Sequence, residues 1–218
     1  MIDEILPASV ASAWTTESIQ VPLYAEESVA IGRAVDKRRR EFVTGRACAR
    51  QALARLGVRP CSVPNGERGE PVWPHGVVGS ITHCRGYVAC AVASREILGA
   101  IGIDAEPHAA LREDVLPEVV TPAENRRLTD LRAASADVHW DRVWFSAKEA
   151  VYKAWFPLTG RWLGFHDVEL TVDSANGRFS AQLRVPGART SGGSISRLNG
   201  RWLVRHDLTL TAVVVPHA

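Results

Sequence analysis

The spacing of apolar residues changes regime three times along these 218 residues, and that order leaves few architectures open. From about residue 36 to 56 the period is helical: Phe42, Ala49, Leu53 and Leu56 share one stripe, and Gly57 ends the run. Residues 58 to 79 are rich in Pro and Gly, with Asn65-Gly66 and Arg68-Gly69 reading as turns. Two extended runs follow, 87 to 93 and 97 to 103, joined near Ser94-Arg95-Glu96 and read as a strand pair that Pro107 terminates. Residues 108 to 140 are helical in pieces, with Thr121-Pro122-Ala123-Glu124 as a helix start. A strong helix is predicted from about Ser146 to Trp155, halted by Pro157. From Gly164 to Val215 apolar and polar residues alternate as in antiparallel strands, interrupted by a polar turn or loop over 187 to 200. Helix, sheet, helix, sheet argues for an α+β protein in two comparable halves. The first 30 residues carry Pro7 and Pro22 and are expected to form short elements and an edge strand.

A net charge of only +2 gives no reason to expect a nucleic-acid partner. The cations are concentrated instead: Lys37-Arg38-Arg39-Arg40 is followed by Arg46, Arg50, Arg55 and Arg59. Such a helix is either a solvated basic face or a surface for phosphate or an acidic partner. Arg38 and Arg46 lie about 40° to either side of Phe42 on the helical wheel, close enough to a buried seam to require an anionic partner. The four cysteines form no Cys-x-x-Cys pair, so reduced thiols are expected, and zinc spacing is absent. No basic leader precedes an apolar run and no apolar stretch reaches about 18 residues, so the expectation is a cytoplasmic protein with no membrane partner.

Three segments carry the chemistry. Asp104 and Glu106 stand two apart at a strand end and project from one face, with Ile101, Ile103 and Ala105 on the other. They are either solvated acids or a pair that needs a hard cation such as Mg²⁺ between them. Glu149 reads either as the last residue of a capping box that begins at Ser146 or as a third acid, with Lys148, Tyr152 and Lys153 crowded beside it. Ser80 and His83 sit among small residues, where backbone N–H groups, a hydroxyl and an imidazole can face an anion; a structural histidine is the other reading.

Five segments in order, Lys37 to Arg46, Gly69-Glu70-Pro71-Val72-Trp73-Pro74, Gly79 to Cys84, Gly102 to Glu106 and Phe145 to Phe165, resemble the 4′-phosphopantetheinyl transferases of the surfactin-synthetase-activating type, especially the subfamily of the enterobactin-synthetase component D. The resemblance implies a pseudo-dimer of two similar α/β halves, 1–106 binding the nucleotide and 107–218 on the metal and pyrophosphate side, with the active site in the cleft between them and a monomer able to complete it. It implies transfer of the 4′-phosphopantetheine arm of coenzyme A to a serine of acyl or peptidyl carrier proteins, with release of adenosine 3′,5′-bisphosphate, in polyketide, nonribosomal peptide or siderophore synthesis. On matching positions, Asp104, Glu106 and Glu149 would ligate Mg²⁺, and Lys148 and Lys153 would face the phosphates. Arg38, Arg46 and His83 would hold the adenosine 3′-phosphate, Ser80 and Thr82 would line the nucleotide site, and Glu149 would act as base with Lys153 neutralising charge. A Mg²⁺-dependent phosphoesterase and a noncatalytic coenzyme A-binding module would use many of the same residues.

Overall fold

The computed structural model describes residues 1–32, 34–190 and 193–217. The first half builds a three-stranded antiparallel sheet from β1 (Ala11–Thr15), β2 (Val77–Cys84) and β3 (Tyr87–Ser94), in the order β1-β3-β2. The short helix α1 (Ala25–Val29) precedes α2 (Asp36–Arg55), which packs on this sheet. Small residues of α2, Cys48, Ala49 and Ala52, meet Val88, Cys90 and Val92 of β3, so the helix lies close to the strand. The opposite face of β3, Ala89, Ala91 and Ala93, is equally buried in the core between the halves.

The second half repeats the plan on a larger scale. Strands β4 (Leu98–Pro107), β5 (Val168–Asp173), β6 (Arg178–Leu183), β9 (Arg197–Arg205) and β10 (Leu208–Pro216) form an antiparallel sheet in the order β4-β10-β9-β6-β5. Helix α5 (Trp140–Thr159) covers it, preceded by α3 (Leu116–Val119) and α4 (Pro122–Ala134). The stretch over 187 to 200, read from sequence as a loop, contains a small hairpin, β7 (Ala188–Thr190) with β8 (Gly193–Ile195), before β9 begins. The α+β class and the two-half plan of a long helix on an antiparallel sheet stand as expected.

Three local expectations change. First, β3 and β4 are not paired: β3 lies between β1 and β2, whereas β4 runs along β10, with Asp104 opposite Thr211 and Glu106 opposite Thr209. Leu98–Pro107 therefore joins the second half's sheet, although it falls before the division at residue 106. Second, α5 begins at Trp140, so Ser146 is not its cap; the Ser146 hydroxyl instead lies 2.9 Å from Thr211 Oγ1, which ties the helix to β10. Pro157 is inside the last turn, where one lost backbone bond is tolerated, and Gly160 closes the helix in a left-handed conformation with φ 63°. Third, the Lys148 ammonium is held in the core, although the residue also borders a small pocket beside Glu149. It is 2% exposed, its Nζ donates to the carbonyls of Val119 and Phe165 and pairs with Glu124 at 2.8 Å. Glu124 is fully buried because it caps α4 through the Thr121 N–H and also accepts from the Leu170 N–H; a buried carboxylate needs a cation, and Lys148 supplies it.

The approach of α5 to β4 depends on one glycine. A Cβ on Gly102 would stand 1.9 Å from the Ala150 carbonyl oxygen and 2.7 Å from the Ala154 nitrogen, so helix and strand touch backbone to backbone there. Gly102→Ala is expected to lower the stability by about 1–3 kcal/mol through overpacking. Urea denaturation checks this, and an unchanged midpoint would show that the helix is free to move away.

Candidate active site

Asp104 is 4% exposed and held from two elements. Its Oδ1 accepts from Lys153 Nζ at 2.7 Å, from α5, and from Thr82 Oγ1 at 3.2 Å, from β2. Its Oδ2 is buried with no hydrogen-bond partner among the described residues. Glu106, two residues on and on the same face, accepts from Arg142 Nη1 at 3.0 Å. Burial pushes the Glu106 carboxyl up to about 7; the charge of Asp104 adds to this, and Arg142 and Lys153 oppose it. Glu149 is also raised, by burial first and then against the pull of Lys153, and no group among the described residues bonds its carboxylate. The three acids predicted from sequence thus sense one another across β4 and α5. Among the described residues no three His, Cys, Asp or Glu side chains close into a metal cage.

Lys153 reaches the same point, with Nζ also 3.2 Å from the Ile103 carbonyl and 3.5 Å from Thr82 Oγ1. Its neighbour in the predicted set, Lys148, spends its charge on Glu124 in the core of the second half and borders a second, smaller pocket rather than the point where Lys153 meets Asp104. On the first-half side, Arg38 Nη1 lies 2.9 Å from His83 Nε2, and Glu41 approaches the other ring nitrogen at 3.9 Å. Burial lowers the His83 pKa, with Glu41 opposing and Arg38 and Lys153 reinforcing, so the ring is neutral near pH 7 and accepts from Arg38. Arg46 is 5% exposed, stacks 4.0 Å over the Phe42 ring and donates to Asn65 Oδ1, while its Nε lacks a partner. Desolvation lowers its pKa to about 10, so it remains a cation, and it is the buried arginine predicted beside the apolar seam.

Between β2 and α5 runs a cleft of about 630 Å³, lined by Trp73, Ser80, Ile81, Tyr152, Lys153 and Phe156 among others. Trp73 is fixed over Gly79, whose carbonyl accepts from the indole at 3.0 Å; a Cβ at Gly79 would sit 2.8 Å from that ring. Arg68 reaches over Phe156 from the turn region at 5.8 Å. Around α5 from this cleft, a smaller pocket of about 210 Å³ is lined by Glu149, Tyr152, Trp162, Leu163 and Phe165. Cys84, beside His83, is pushed to about 12 by burial and by Glu106 and Asp104, so it is a neutral thiol rather than a nucleophile.

Sequence reading missed Arg142. It grips Glu106 and also donates to the carbonyls of Ala109 and Ala110. The signal was present, because Arg142 precedes Glu149 by two helical turns and shares its face; it was hidden by starting the helix at Ser146.

The Arg38 and His83 pair, the buried acids around Lys153 and a cleft that Ser80 and Lys153 line suit a phosphorylated nucleotide. Residues 26–93 match the family described as 4′-phosphopantetheinyl transferase N-terminal domain, and residues 100–194 match the 4′-phosphopantetheinyl transferase superfamily. The chain is 47% identical to the 4′-phosphopantetheinyl transferase Npt of Nocardia iowensis, over 98% of this chain and 99% of that protein. It is 44% identical to the 4′-phosphopantetheinyl transferase PptT of Mycobacterium tuberculosis, over 99% and 98%. Enterobactin synthase component D of Escherichia coli matches at 38% identity over 62% of this chain and 61% of its own length. With full-length identity at this level and both halves matched in order, the chain belongs to the 4′-phosphopantetheinyl transferase superfamily.

Proposed function

We propose that the chain moves the 4′-phosphopantetheine arm of coenzyme A onto a serine of an acyl or peptidyl carrier protein, in the service of polyketide, nonribosomal peptide or siderophore synthesis. The observation that carries this reading is the cluster of Asp104, Glu106, Glu149 and Lys153 at the seam of β4 and α5, opposite the Arg38 and His83 pair. The halves divide the substrate between them: residues 1–106 take the nucleotide, and residues 107–218, with the acids of β4, take the pyrophosphate. Arg38, Arg46 and His83 hold the adenosine phosphate, Ser80 lines the nucleotide wall, and the aromatic pocket beside Glu149 receives the pantetheine arm.

The acid cluster fits a Mg²⁺ ion. Asp104 Oδ2 is buried without a partner, and Glu106 and Glu149 are both held above the usual carboxylate range by burial with like charges nearby, a conflict that a hard cation removes. Asp104, Glu106 and Glu149 would hold the ion, which when bound offsets negative charge on the pyrophosphate oxygens. The carrier serine oxygen bonds to the β-phosphorus as the bond to the bridging oxygen breaks, and adenosine 3′,5′-bisphosphate leaves. Glu149, whose carboxylate no described protein group bonds, takes the serine proton, and Lys153 faces the charge that develops on the leaving phosphate.

Incubation with coenzyme A, Mg²⁺ and an apo carrier protein is expected to add one phosphopantetheine to the carrier by intact mass. Coenzyme A hydrolysis with no carrier modified would favour a phosphoesterase instead. Glu149→Gln is expected to reduce turnover by at least about 100-fold, the lower range for a lost general base. Its coenzyme A affinity, read by calorimetry, should persist; unimpaired turnover would remove Glu149 from the role.

The metal-free protein should also show a pH signature. Glu106 titrates near 7 in the fold and near 4.5 when unfolded, so between those values the folded chain holds a proton that the unfolded chain has lost. Stability therefore falls as pH rises through that window. Glu106→Gln should flatten this segment of a melting temperature series run in chelator.

A further inference from the structure

Thr82 was expected to line the nucleotide site, yet its hydroxyl has no capacity left for a nucleotide. A threonine hydroxyl offers one proton and two lone pairs. The proton goes to Asp104 Oδ1 at 3.2 Å; the lone pairs accept from the Ala105 N–H at 3.1 Å and from Lys153 Nζ at 3.5 Å. Thr82 is 2% exposed and does not border the cleft that Ser80 and Ile81 line. Among the described residues Ser80, two residues earlier, makes one such bond, accepting from the Ile103 N–H at 3.1 Å, and keeps its proton. The two hydroxyls thus share a structural task, satisfying the outer edge of β4 from β2, and differ in what remains.

The geometry points to Thr82 as a positioning residue for Asp104: by binding Oδ1 from the opposite half, it aims the unpartnered Oδ2 at the place where a divalent cation would sit. Lys153 holds the same Oδ1 from α5, so the carboxylate is gripped on one oxygen by two elements and left open on the other. Neither grip alone fixes the plane of the group, because a single contact lets a carboxylate pivot about its Cβ–Cγ bond. Thr82 comes from the nucleotide-side sheet, and so links the two halves at the acid itself.

This inference rests on the transferase reading, and the test separates the two. Thr82→Val keeps the shape and removes the hydroxyl; Thr82→Ser restores it. Mn²⁺ binding in the presence of coenzyme A, followed by electron paramagnetic resonance, is expected to weaken about 10- to 100-fold in Thr82→Val, the usual effect of losing a partner that orients a metal ligand, and to recover in Thr82→Ser. Affinity for adenosine 3′,5′-bisphosphate in chelator, read by calorimetry, should be unchanged in both. The converse, weakened nucleotide binding with Mn²⁺ binding intact, would make Thr82 a nucleotide contact and overturn the inference, as would no change in either. Should Thr82→Val fail to fold, Thr82→Cys, with a weak donor of similar size, is judged on the same two affinities. Failure of the unsubstituted chain to bind Mn²⁺ would overturn the metal site and this inference together. Failure of that chain to modify any carrier while binding Mn²⁺ in a Thr82-dependent way would overturn only the transferase reading.

Discussion

Everything at the site depends on α5 lying directly against β4. Side chains normally keep a helix backbone clear of the sheet it covers, but at Gly102 there is none, and the helix backbone at Ala150 and Ala154 settles onto the strand. Two residues along β4 from that contact stands Asp104, and Glu149 and Lys153 flank it on the helix. A short charged contact such as the 2.7 Å pair of Lys153 and Asp104 requires this proximity. With a larger residue at 102, the acids of the strand and those of the helix would separate.

A second constraint is the outer edge of β4. It is the edge strand of its sheet, and its N–H groups at Ile103 and Ala105 would be orphans if the first half did not reach across. Hydroxyls from β2 serve them, and the apolar side of the same strand, Ile101, Ile103 and Ala105, packs into the core between the halves. One strand therefore carries Asp104 and Glu106 on one face, inter-half packing on the other and cross-half hydrogen bonds along its edge. Lys148, by contrast, places its ammonium in the scaffold, where it neutralises the buried Glu124.

Much of this was legible because it was periodic. The stripe on α2 placed Arg46 at a buried seam, and strand alternation put Asp104 and Glu106 on one face with the isoleucines on the other. What could not be read was neighbourhood. Alternation identifies β3 and β4 as strands but does not say that one pairs with β2 and the other with β10. Lys148 was set toward the phosphates by the resemblance, and its counter-ion Glu124 lies in a different helix that the local pattern does not connect to it. Arg142 was lost to a helix boundary set six residues too late, because Ser146 to Glu149 fits a capping box that the helix, starting at Trp140, does not use.

The pairing of Asp104 with Thr211 also fixes when the site can exist. During synthesis β4 emerges long before β10, and until that late strand arrives the acid strand lacks its partner in the sheet. Helix α2 and the three-stranded sheet, by contrast, are complete in the chain by Ser94. A chain cut before Leu208 would thus leave both edges of β4 without a strand partner.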